Sequence, residues 1–167
     1  MSTLAVPSTR PRRRRLPFGQ GFKTEREFFG DFAAVGEEVD YEDFASSITH
    51  CLTHQPEGWN PYKPPTVLGQ KLRYWVAKHF SRRQQRQLGL FITVGSSLDW
   101  WHHTDAVIHH GSLKDPDWLN RPRWVTIDVA AYDKERQGET VRAGLLITLE
   151  HFAFKDIARI GAAIASY

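Results

Sequence analysis

The sequence predicts an α/β fold, a small mixed central sheet of about four strands flanked by helices. Three observations carry that reading. Apolar residues recur at helical spacing from Leu68 to Phe80, and the period then changes to two at "LGLFITVG". Three further β-rich segments follow, and a short amphipathic stretch closes the chain. With 167 residues, 41% of them apolar and 25% charged, the chain suits one domain with a real core.

Taken in order, residues 22–50 set aromatics among acids and predict one or two short helices, the second around "DYEDFASSITHCL". "THQPEGWNPYKPPT" is a loop, because Pro56, Pro61, Pro64 and Pro65 stop any helix crossing it. Thr66 is an N-cap for a helix over 66–87, with Leu68, Leu72, Trp75, Val76, His79 and Phe80 on one face. Lys71, Arg73, Lys78, Arg82 and Arg83 fall mostly on its other faces, and Gly89 ends it. The first strand then places Leu88, Leu90, Ile92 and Val94 on one side. "TDAVIHH", "RWVTIDVAAY" and "AGLLITLEHF" are the second to fourth strands, and "FKDIARIGAAIASY" is the closing helix, with Ile157, Ile160 and Ile164 as its buried stripe. On the third strand Val125, Ile127 and Val129 face one way, and Trp124, Thr126, Asp128 and Ala130 the other.

Charge divides the chain at its start. Arg10, Arg12, Arg13, Arg14 and Arg15 lie within the first fifteen residues with no acid among them, so the remainder holds 17 basic and 19 acidic residues. Residues 1–21 are therefore expected to form a disordered basic arm, and residues 22–167 a single domain. Such an arm either lies along phosphates and gains affinity by counterion release, or merely keeps the chain soluble. The one cysteine, Cys51, excludes an intrachain disulfide and a thiolate zinc cluster, which points to a reducing, cytoplasmic compartment. No apolar run approaches the roughly 20 residues that span a bilayer. No apolar segment follows the basic residues as in a secretory signal.

The chemistry gathers in "GSSLDWWHHTDAVIHH", Gly95 to His110, with two Trp, four His and two Asp in sixteen residues. Asp105 opens the second strand and Asp128 sits within the third. An ionised carboxylate in a half-buried strand is costly unless it is paired or bound to a cation. If the two strands are antiparallel neighbours, these acids converge on one sheet face. Carboxylates with backbone oxygens and waters suit Mg²⁺ or Mn²⁺ rather than zinc. The alternative is an Asp that caps a bulge or pairs with Arg123 or Arg142. His103, two residues before Asp105, is placed to position a phosphate or carry a proton; the other histidines read equally as polar residues at strand ends, and a zinc-binding imidazole cluster lacks recognised ligand spacing. Asp99 is expected to cap the turn after Ser96 and Ser97, and Trp100 and Trp101 to plug the core. The loop "GSLKDPDWLNRPR" brings Lys114, Arg121 and Arg123 toward the mouth of the same site, either as backbone contacts to a substrate or as a decorated surface loop.

The series "FITVGSSLDWWHHTDAVIHH…RWVTIDVAAYDK", Phe91 to Lys134, resembles a divergent branch of the PD-(D/E)XK nuclease-like superfamily in residue types, order and spacing. The resemblance implies a restriction-endonuclease-like core. It implies that Asp105 is the first acid and a direct metal ligand, Asp128 the acid of the second signature, and the Val129 carbonyl a backbone ligand. The lysine that activates the water belongs two residues after the second acid, where this chain has Ala130, and Lys134 is the nearest replacement. The acid usually supplied by the preceding helix is missing from 66–87, where Gln70 is the nearest polar stand-in; Glu37, Glu38, Glu42 and Asp43 lie earlier. The expectation is a Mg²⁺- or Mn²⁺-dependent nuclease-like domain hydrolysing phosphodiester bonds in DNA. Arg12, Arg13, Arg14, Arg15, Arg121 and Arg123 would contact the nucleic acid. Ala130 and the acid-free helix motivate the alternative, the same fold binding nucleic acid or a protein partner without catalysis.

Overall fold

The computed structural model describes residues 20–32, 39–114, 123–130, 143–148 and 154–166. Helix α1 (Gln20–Phe29) runs into a single 3₁₀ turn (Gly30–Phe32) and is followed by α2 (Phe44–Thr53). Then come α3 (Val67–Ala77), α4 (Arg82–Gln85), β1 (Leu88–Ile92), α5 (Ser97–His102), β2 (Ala106–His110), β3 (Trp124–Ala130), β4 (Leu145–Thr148) and α6 (Phe154–Ala165). The four strands form one mixed sheet in the order β1-β2-β3-β4. β1–β2 and β2–β3 are antiparallel and β3–β4 is parallel. None of the helices among the described residues is long and apolar enough to cross a membrane.

The larger core lies on the sheet face that carries Leu88, Leu90, Ile92, Ala106, Ile108, Val125, Ile127 and Val129. Phe28 and Phe29 from α1, Leu72 and Val76 from α3, and Ile164 from α6 complete it. α3 and α6 pack closely because residue 161 is glycine: a Cβ there would stand 2.8 Å from the Trp75 carbonyl carbon. On the opposite face, Phe91 and Val107 meet Ile48, Cys51 and Leu52 of α2 and Leu98 of α5 in a smaller core. The period-two reading of β1 and β3 therefore holds, with odd and even positions of β3 separated as expected.

The helix expected over 66–87 is two helices. Thr66 caps α3 by accepting from the Gly69 N–H. A turn at 78–81 then intervenes, and Ser81 with Gln84 forms a complete capping box that starts α4. Gly89 belongs to β1 rather than to a helix end. The breaks position the edge of the sheet. Arg73 Nε donates to the Leu88 carbonyl (2.9 Å), Trp59 Nε1 to the Leu90 carbonyl (2.9 Å), and the Leu90 N–H to the Pro61 carbonyl (2.9 Å). Gln55 closes the series, accepting from the Ile92 N–H and donating to the Ile92 carbonyl. The outward-facing groups of β1 are thus satisfied by side chains and loop, which blocks edge-to-edge pairing.

Candidate functional site

β2 and β3 are antiparallel neighbours in the register Ala106↔Ile127, Val107↔Thr126. Asp105 lies one residue before β2 and reaches both peptide groups that flank Asp128. Its N–H donates to the Ile127 carbonyl (2.8 Å), and its Oδ2 accepts from the Val129 N–H (2.7 Å). Its own carbonyl accepts from Thr93 of the β1 end (3.0 Å), so Asp105 is clamped between two strands. Both acids are buried, at 0% and 1% exposure. Asp128 shares parity with Thr126, opposite to the larger core's Val125, Ile127 and Val129, whereas Asp105 lies at a bend just before β2 and turns its carboxylate to the Val129 N–H.

The Val129 N–H and the Ile127 carbonyl both point at the β2 side. In an extended strand a residue's N–H and C=O project the same way, so the Val129 carbonyl also lies on the Asp105 side. The donors that Asp105, Asp128 and the Val129 carbonyl could offer are all oxygens, the chemistry that Mg²⁺ or Mn²⁺ favours over zinc. Among the described residues there is no group of three or more His, Cys, Asp or Glu arranged to hold a metal. Ala130 occupies the position where the resemblance expects lysine, buried at 3% and paired with Thr148 of β4. Lys134, Arg12, Arg13, Arg14, Arg15 and Arg121 lie outside the described residues, as do Glu37, Glu38 and Arg142.

The stretch Gly95–Asp105 is more ordered than a turn. Gly95 supplies the positive φ (80°) after β1, and Ser97–His102 forms α5. Asp99 Oδ2 ties back to the Gly95 N–H (2.8 Å). His103 ends the helix in the left-handed conformation (φ 54°, ψ 44°), a region that histidine tolerates better than most residues. His102 instead meets the Glu42 carbonyl (2.9 Å) through Nε2, and Trp101 Nε1 donates to the Val39 carbonyl (2.8 Å). Asp43 caps α2 and Gln70 Nε2 donates to the Pro64 carbonyl, so both are committed elsewhere.

His109 and His110 stand at the far end of β2, away from His102 and His103. Burial, helped by His110 and Arg123, pushes the His109 imidazole down to about 4. The loop after β2 leads back to the start of β3, which puts Arg123 and Lys114 at this far end too. They do not border the Asp105–Asp128 end as expected, because a hairpin connection joins the ends opposite the acids.

Two features escaped the sequence reading. Glu25 of α1 is buried at 5% exposure; its neighbours one helical turn on, Phe28 and Phe29, join the core on the other face of β3 from Asp128. The second is a basic groove of about 560 Å³ outside β1, lined by Tyr62, Lys63, Arg73, Tyr74, Arg82 and Arg86 among others. Between Glu57 and Asp99 the chain has no acid and seven Lys or Arg, the signal that was available. Arg73 is fixed by bonds to the Leu88 and Gln85 carbonyls (both 2.9 Å), while Tyr62 and Tyr74 are 42% and 54% exposed. Among the described residues, Lys63, Arg82 and Arg86 have no acidic partner. No protein-family model, curated protein or solved structure matches the chain.

Proposed function

We propose that this domain is a Mg²⁺- or Mn²⁺-dependent nuclease-like hydrolase of phosphodiester bonds in DNA, with Asp105 and Asp128 as the acids that hold the ion. The observation that supports this reading is the reach of Asp105 to both peptide groups around Asp128, which sets the two acidic residues beside each other at one end of the β2–β3 pair. A bound divalent ion polarises a phosphoryl oxygen and lowers the pKa of an attacking water. The chain's own groups supply the rest: His103 carries a proton beside Asp105, and Lys134 orients the water. Lys63, Arg82 and Arg86 take the backbone phosphates, with Tyr62 and Tyr74 as faces for unstacked bases. The basic arm adds phosphate contacts.

The test is cleavage of labelled DNA with and without Mg²⁺ or Mn²⁺, by the native chain and by Asp128→Asn, with melting curves to confirm folding. The expected result is ion-dependent cleavage that falls about 100-fold or more in the variant. Undiminished cleavage by Asp128→Asn contradicts the assignment.

A second reading, the same fold binding nucleic acid without hydrolysis, is favoured by one observation. Asp105 Oδ2 already serves the Val129 N–H, a structural task that requires no metal. It expects DNA binding that persists in EDTA and no cleavage with any ion.

A further inference from the structure

A cavity of about 320 Å³ opens at the end of the sheet opposite Asp105 and Asp128. Its floor is apolar, formed by Val76 of α3, Leu88, Ile108 and Val125 of the three antiparallel strands, and Ile164 of α6. One wall is the His110 ring stacked on Phe80, with centroids 4.7 Å apart and planes 17° from parallel. His110 belongs to the same side of β2 as Ala106 and Ile108, which aims it at α3. Its Nε2 is shielded from solvent and has no hydrogen-bond partner among the described residues. At the mouth stands Arg123, exposed and without an acidic partner among the described residues.

These features call for an occupant. A buried ring nitrogen without a partner costs on the order of 1–3 kcal/mol, so a ligand group that bonds to it gains affinity; the Trp124 indole N–H, from another lining residue, likewise has no partner among the described residues. The volume is about twice that of the dry cavities of about 150 Å³ that take up benzene, and it falls within the range of small-ligand pockets. The polar lining includes the guanidinium of Arg123, whose forked donors match a carboxylate. Burial, and after it the positive charge of Arg123, hold His110 below the usual imidazole range, which favours the neutral ring; a neutral imidazole donates one hydrogen bond, here to an anion that Arg123 neutralises.

We propose that this cavity is a binding site for a small apolar carboxylic acid, with its carboxylate at Arg123 and His110 and its hydrocarbon body against Phe80, Val125, Ile164 and Ala165. The inference does not rest on the nuclease reading, since the acid pair lies at the other end of β2 and β3.

The experiment is calorimetric titration of the full chain, in EDTA, with 2-naphthoate, 3-phenylpropionate and the uncharged 2-naphthamide. Saturable one-to-one binding of the carboxylates is expected, at least about tenfold tighter than the amide, since tenfold corresponds to 1.4 kcal/mol and a charged hydrogen bond exceeds that. Arg123→Gln, at an exposed position, is expected to fold normally and weaken naphthoate binding about tenfold. Ile164→Trp fills the floor and is expected to abolish it; a melting curve checks that this variant folds. Equal affinity for amide and carboxylate, native affinity in Arg123→Gln, or no saturable binding at millimolar ligand overturns the proposal. The Asp128→Asn variant is expected to bind naphthoate as the native chain does, so failure here and failure of the nuclease reading separate cleanly.

Discussion

Asp105 performs two tasks at once, and substitutions can separate them. Its Oδ2 ends the β2–β3 ladder by receiving the Val129 N–H in a fully buried setting. Asp105→Ala leaves that donor unsatisfied and is expected to destabilise the fold by about 1–3 kcal/mol, read by chemical denaturation. Asp105→Asn keeps an acceptor there, so it is expected to cost less stability while still weakening divalent-ion binding. A second residue sets the acid limit. His109 is held near 4 by burial, against about 6.5 in the unfolded chain. Between those values the unfolded state binds more protons, so stability is present above about pH 6.5 and is lost as pH falls toward 4. Melting curves from pH 7 to 5 are expected to show a loss of about 1–2 kcal/mol, flattened in His109→Gln. At this scale the acids were legible from carboxylates set among apolar strand residues. The side-chain bond to Val129 was not, because it depends on where one ladder stops relative to its neighbour.

Among the elements, β1 and the α3–α6 contact carry the most structural information. Gln55 satisfies both outward groups of Ile92, so Gln55→Ala is expected to cost about 1–2 kcal/mol and to raise aggregation through the uncovered edge. Gly161→Ala drives a methyl group into the Trp75 backbone and is expected to cost about 1–3 kcal/mol, with α6 packing less tightly in hydrogen exchange. The strands were readable because their period-two pattern matches two separate cores. The break between α3 and α4 is carried by Ser81 and Gln84, a capping-box spacing inside a run of Arg and Gln that itself favours helix and so hides the stop. α5 was read as a turn because its six residues are too few to show a helical stripe. The bonds that cover β1 come from Gln55, Trp59, Pro61 and Arg73, and no local pattern announces such partners.

Across the whole molecule, the candidate sites lie at the two ends of the sheet and at its β1 edge. The acids stand at one end of β2–β3, the apolar cavity at the other, and the basic groove beyond β1. The α/β class and the mixed four-stranded sheet followed from element order alone, whereas the groove depends on a loop, α3 and α4 meeting in space. If the groove holds a phosphate backbone, the triple variant Lys63→Ala, Arg82→Ala, Arg86→Ala lowers the salt dependence of binding to single-stranded DNA. The slope of log affinity against log salt is expected to fall by about 2, near 0.7 per lost contact, as measured by anisotropy in EDTA. An unchanged slope removes the groove from the interface. The measurement closest to the central claim is calorimetric binding of Mn²⁺ to the native chain and to Asp128→Asn. One site that is lost or weakened about 100-fold in the variant is predicted; equal Mn²⁺ affinity in the two proteins contradicts the assignment of Asp105 and Asp128 to a metal ion.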